Sequence, residues 1–109
     1  MSKQEMSFLH DNPDIEKIHV AAQPNRLAIL NLLTTKNDKI YASKIGELLG
    51  IERKVVAFHL NALENVGLVK SEYGLTKVEE GKRPVAAKYY KLTTKGKNIY
   101  ERVMEAIKQ

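Results

Sequence analysis

GIERKVVAFHLNALENVGLV, residues 50–69, is the stretch from which the rest of the chain can be read. At about 100° per residue, Val56, Leu60 and Leu63 share one helix face, and Gly67 marks the helix end. Phe58 falls almost opposite them, among Lys54, Asn61 and Asn65. A good inner face with a large aromatic residue outside it raises the question of what the outer face touches. Immediately upstream, SKIGELLG (43–50) reads as a brief helix with Ile45, Leu48 and Leu49 facing inward. Gly50-Ile51 is the turn between the two. Two helices joined by a three- or four-residue turn make a helix-turn-helix.

Upstream again, Asn12-Pro13 reads as a helix opening, and Ile15, Ile18 and Ala22 repeat at helical spacing. Pro24 opens a second helix, PNRLAILNLLTT, with Leu27, Leu30 and Leu33 in its stripe. IYA (40–42) is a short β-prone stretch. After Gly67 helical spacing gives way to extended chain, in LVKSEYGLTKV (68–78) and VAAKYYKL (85–92), with EEGKRP (79–84) as a charged turn. Thr93 or Thr94 caps a last helix running from Lys95 to about Lys108. The expected fold is mainly α with a small β-hairpin wing, a winged helix-turn-helix. Residues 1–11 are expected to be a flexible tail, and 12–109 the folded domain with dimerisation helices at both ends.

At 109 residues the chain has room for one core and no more. It lacks cysteine, which excludes a disulfide scaffold, a Cys-ligated zinc site and a thiol nucleophile. No apolar run approaches the ~18 residues of a membrane span. The opening MSKQEMSFLHDNPD lacks the order of a signal peptide, so a cytoplasmic location is expected. Net charge is +5, yet residues 1–23 carry two lysines against four acids. The positive excess therefore lies after Gln23, where a polyanion would be attracted. There is no glycine-rich phosphate loop, no paired Cys and His, and no carboxylate cluster with ligand spacing, so no enzyme is expected.

The residues also resemble a known family. AAQPNRLAILNLL is similar to the segment opening the winged helix of ArsR-like transcriptional regulators, matching at Pro24, Arg26, Ile29, Leu30 and Leu33. IGELLGIERKVVAFHLNALENVGLVK resembles their helix-turn-helix at Leu48, Gly50, Ile51, Val56, His59, Leu60, Leu63, Gly67, Leu68 and Val69. YKLTTKG resembles the strand-to-helix junction of ArsR-like and MarR-like winged helices. The resemblance covers roughly residues 20–100 and implies a homodimeric, cytoplasmic DNA-binding repressor. Metal-sensing members bind ions through Cys before the recognition helix, or through Asp and His on the last helix. SKIGELLG and KGKNIYERVMEAIKQ contain none of these, so no metal and no cofactor are expected. Glu52, Val55, Ala57 and Phe58 stand where the family often has Ser, Thr or Arg, so base reading is expected to be unusual, weak or absent.

On this reading Arg53, Lys54, Ala57, Phe58 and Asn61 are placed to reach double-stranded DNA. Arg53 suits guanine, Asn61 adenine, and Phe58 a thymine methyl. The alternatives are that Arg53 and Lys54 are solvated helix-start residues with Phe58 packed on a neighbouring element, or that Phe58 with Val55 is a protein contact patch. Lys77, Lys82, Arg83 and Lys88 surround the hairpin and suit phosphate or minor-groove contact. His59, on the edge of the inner face, reads as a partly buried hydrogen-bonding residue. Arg26, in a first helical turn where the dipole disfavours a cation, calls for phosphate or a carboxylate such as Glu47 or Glu64. The apolar arc of the last helix spans roughly 160°. Ile99, Tyr100, Val103, Met104 and Ile107, with Ile15 and Ile18, are the expected dimer interface. Any small-molecule effector stays open.

Overall fold

The computed structural model describes residues 12–36, 39–75 and 80–108. The expected tail over 1–11 lies outside the described residues. The elements are α1 (Ile15–Ala21), α2 (Pro24–Thr35), β1 (Ile40–Tyr41), α3 (Ala42–Leu49), α4 (Arg53–Asn65), β2 (Val69–Leu75), β3 (Ala86–Leu92) and α5 (Thr94–Lys108). The strands form one antiparallel sheet in the order β1-β3-β2. This is a winged helix-turn-helix: α3 and α4 form the helix-turn-helix and β2–β3 the wing.

α2 begins at Pro24, whose missing N–H costs nothing at that position. It packs on α1, α3, α4, α5 and β3, which is why its apolar residues are not confined to one stripe. Ile29, Leu30 and Leu33 are buried there, against Ile45 from α3, Val56, Leu60 and Leu63 from α4, and Ile99 from α5. One expectation on α3 is corrected. Its inner face is set by Ile45, Gly46 and the half-buried Leu49, leaving Leu48 about 110° away and 46% exposed.

The end of α4 and the start of α5 form one joint. α4 stops where Gly67 turns left-handed at φ 78°, and the Leu68 N–H reaches back to the Leu63 carbonyl at 3.0 Å. That is a Schellman closure, with the following Leu68 wholly buried. The Leu68 carbonyl then accepts the Thr93 N–H at 3.1 Å. The Thr93 hydroxyl lies 2.7 Å from the Gly67 carbonyl and 3.0 Å from that of Leu68. It also accepts the Gly96 N–H at 2.9 Å, so Thr93 caps α5. The first turn of α5 sits so close that a Cβ on Gly96 would lie 1.9 Å from the Leu68 oxygen.

The start of α1 is tied down. Asn12 Oδ1 accepts the Asp14 N–H at 2.9 Å, and Asp14 pairs with Lys95 at 2.6 Å and Arg102 at 2.7 Å on α5. The helix therefore starts two residues later than Asn12-Pro13 suggests.

Gly96→Ala is expected to cost about 1–3 kcal/mol, because the obstacle is backbone and cannot swing aside. Lys97→Ala, on the exposed side of the same helix, should stay within about 0.5 kcal/mol of the parent. Urea unfolding of the two variants checks this; equal midpoints would show that α5 does not bear on Leu68 as described.

Candidate nucleic-acid interface

α4 buries Val56, His59, Leu60 and Leu63, and so turns Arg53, Lys54, Ala57, Phe58 and Asn61 outward, all exposed. These five share one continuous surface across the helix. Arg53 and Lys54 stand in the first turn, and Val55 is exposed on the flank.

Phe58 is 65% exposed, and the covered part of its ring has specific neighbours. The His59 ring meets it edge-on, with centroids 5.4 Å apart, and the Arg26 guanidinium carbon lies 5.9 Å from its centroid. Arg26 is the centre of this group. Its Nε–H donates to His59 Nδ1 at 3.1 Å and its Nη1 to the Val20 carbonyl at 3.1 Å. Of the two compensations the sequence left open, phosphate or a carboxylate, neither Glu47 nor Glu64 supplies the second. Glu47 pairs with Lys44 at 3.6 Å, and Glu64 faces the wing. Arg26 escapes its own helix dipole by reaching back to the last turn of α1, where carbonyls carry the partial negative charge.

His59 is 4% exposed, and its Nδ1 accepts a hydrogen bond from the Arg26 guanidinium, so the ring is neutral with its hydrogen on Nε2. Burial first, and the Arg26 charge second, hold its pKa below the ordinary value. Sequence reasoning placed this His correctly at the edge of the core. No group of three or more His, Cys, Asp or Glu among the described residues is arranged to hold a metal ion.

On the wing, Lys82 and Arg83 are exposed, and Lys77 lies outside the described residues. Lys88 is half-buried on β3 and turned toward the protein. Its Nζ is 3.7 Å from Glu64 Oε1 and 5.6 Å from the Tyr90 ring centroid. Tyr90 is buried, while Tyr89 is half-buried edge-on to Tyr41, which fits alternation along β3. Sequence reasoning passed over Tyr73 and Leu75, which are 77% and 69% exposed. They share a face with Val69 and Ser71, and the alternation of β2 was the available signal. That face runs out of core to cover it as the hairpin leaves the body.

Of the seven expected interface residues, Ile99, Tyr100 and Val103 are buried within the subunit, and Asn31 donates to the Tyr100 hydroxyl at 2.6 Å. α1 and α2 pack on α5 and cover these three, so they are not open to a second copy as expected. Ile15 and Ile107 remain exposed, and Ile18 and Met104 are half-buried. Between α1 and α5 runs a groove of about 460 Å³ lined by Ile18, Ala22, Arg102, Val103, Ala106 and Ile107.

A family of helix-turn-helix domains matches residues 21–72, just under half of the chain. Comparison with curated protein sequences gives no match. Among solved structures, the chain is similar to a "possible transcriptional regulator for arsenical resistance", at 22% identity over 84% of this chain and 83% of that one, with a TM-score of 0.60. It is also similar to a MarR-family transcriptional regulator from Silicibacter pomeroyi, at 21% identity over 92% of this chain and 62% of that one, with a TM-score of 0.61. At these identities the likeness concerns the fold.

A His with a lowered pKa binds protons more readily unfolded than folded, so stability is complete above the unfolded value of about 6.5 and declines as pH falls below it. Thermal unfolding between pH 7.5 and 5.5 should show this decline, and His59→Asn, which keeps an acceptor for Arg26, should flatten it. Parallel curves for the two proteins would mean that His59 is not the titrating group.

Proposed function

We propose that the protein is a sequence-specific double-stranded DNA-binding transcriptional regulator of the ArsR-like kind, acting in the cytoplasm as a homodimeric repressor on an inverted-repeat operator. The observation that carries this reading is the outer face of α4. Arg53, Lys54, Ala57, Phe58 and Asn61 stand exposed together on the second helix of a helix-turn-helix, with the exposed Lys82 and Arg83 on the wing. The helix-turn-helix match and the two regulators of similar fold support it. Arg53 and Asn61 supply donors for base edges, Phe58 an apolar surface for thymine methyls, and the wing cations phosphate contacts.

The apolar groove between α1 and α5, with Ile107 58% exposed beside it, supports a second copy packing there. Two-fold symmetry then sets two copies of α4 about 34 Å apart along one face of a duplex. Any effector is unassigned.

A second reading is favoured by Phe58 and Val55, which give α4 an apolar component that a protein partner would also fit. Salt separates the two, because phosphate contacts release counterions and apolar contacts do not.

Fluorescence anisotropy with random 30-base-pair duplexes, followed by selection of bound sequences, tests the DNA reading. Affinity is expected to fall steeply with salt, Arg83→Ala to weaken all duplexes alike and lower the salt slope by about one, and Phe58→Ala to relax the selected sequence. No binding even at low salt would overturn it. For the dimer, Ile107→Glu should convert a sedimenting dimer to a folded monomer; a wild-type protein that sediments as a monomer at tens of micromolar would remove that part.

A further inference from the structure

We propose that Glu64 is a positioning residue that sets the pitch of the wing against α4, so that helix and hairpin meet the same duplex. The inference rests on the DNA-binding reading and deepens it.

Glu64 lies in the last turn of α4, on the flank between the buried and outer faces. Its carboxylate holds both strands of the wing. Oε2 accepts the Ser71 hydroxyl of β2, and Oε1 lies 3.7 Å from Lys88 Nζ of β3. Ser71 stands opposite Tyr90, and Lys88 opposite Tyr73, so one carboxylate spans two rungs on the same face of the ladder, with the Glu72–Tyr89 rung between them. Below these rungs the hairpin is pinned by buried Val69, its partner Leu92, and Thr93. On the same face, Tyr73 of the outer rung and Leu75 beyond it are open to solvent. Glu64 therefore makes the outermost side-chain tie between the body and this face of the wing among the described residues.

β1 pairs with β3 at Tyr89 and Tyr90, and Lys39 Nζ reaches Glu72 at 2.9 Å, but beyond these the hairpin is a two-stranded ribbon, which twists and bends readily. The rung of Tyr73 and Lys88 is four residues above Val69, roughly 13 Å at 3.3 Å per residue. A tie at that height limits how far the exposed Arg83 end can swing.

The sign of the effect separates this role from simple electrostatics. An acid beside a polyanion site repels the ligand, and it also holds Lys88 away from phosphate. On charge alone, Glu64→Ala tightens DNA binding. If Glu64 positions the wing, the same substitution weakens binding, and only while the wing has its contact to make.

The experiment compares Glu64→Ala in the Arg83 and Arg83→Ala backgrounds by anisotropy on one duplex selected by the wild type, with circular dichroism confirming a folded chain. Alanine suits this helical position, so the fold should persist. Glu64→Ala is expected to weaken binding about 3–10-fold when Arg83 is present and less than 2-fold when it is absent, a coupling that independent sites do not show. Glu64→Gln, which still accepts from Ser71, should recover part of the loss. Tighter binding, or the same loss in both backgrounds, overturns the proposal while leaving the DNA reading intact. A wild type that binds no duplex overturns both.

Discussion

The directions of two helices, α4 and α5, depend on one carbonyl. The Leu68 oxygen takes the Thr93 N–H, lies within reach of its hydroxyl, and leaves no room for a side chain on Gly96. Because Gly67 and Leu68 close α4 while Thr93 opens α5, this contact ties the exit of one helix to the entry of the next across the intervening hairpin. A cap of this kind is worth about 1 kcal/mol by itself. Its larger effect is geometric: it makes the base of the wing part of the body, and α5 inherits its direction from the end of α4.

The second constraint is polar. Arg26 joins the end of α1, the start of α2 and the buried face of α4 through neutral acceptors, so the junction carries one positive charge and a neutral His59. Phe58 lies against this cation with part of its ring and leaves the rest outside. Its position thus has an internal reason. The ring shields the guanidinium on one side and offers apolar surface on the other.

Much of the fold was legible in the sequence because its punctuation is local. Pro24, Gly67 and Thr93 each act within a few residues, and the shift from helical to alternating spacing after Gly67 announced the wing. The surface of α4 followed from periodicity alone, as did the edge position of His59. What could not be read is which neighbour covers an apolar face. The arc on α5 gave no sign that α1 and α2 would consume Ile99, Tyr100 and Val103. Leu48 was misplaced because the buried side of α3 includes a glycine, whose contribution no hydrophobicity pattern counts. Arg26 with His59, and Glu64 with Lys88, meet across long sequence separations, where spacing says nothing about pairing.

The gradient of burial along β2 bears on how such a protein can change over generations. Val69 belongs to the core, while Tyr73 and Leu75 contribute almost nothing to it. Substitutions at Tyr73 and Leu75 therefore carry little thermodynamic penalty, whereas those at the base threaten the whole domain. Variation can accumulate at the tip and be sorted by what the tip touches, with the scaffold unaffected. A lineage built on this chain can explore new contacts more freely at Tyr73 and Leu75 than along α4, where Val56, His59, Leu60 and Leu63 also hold the core together.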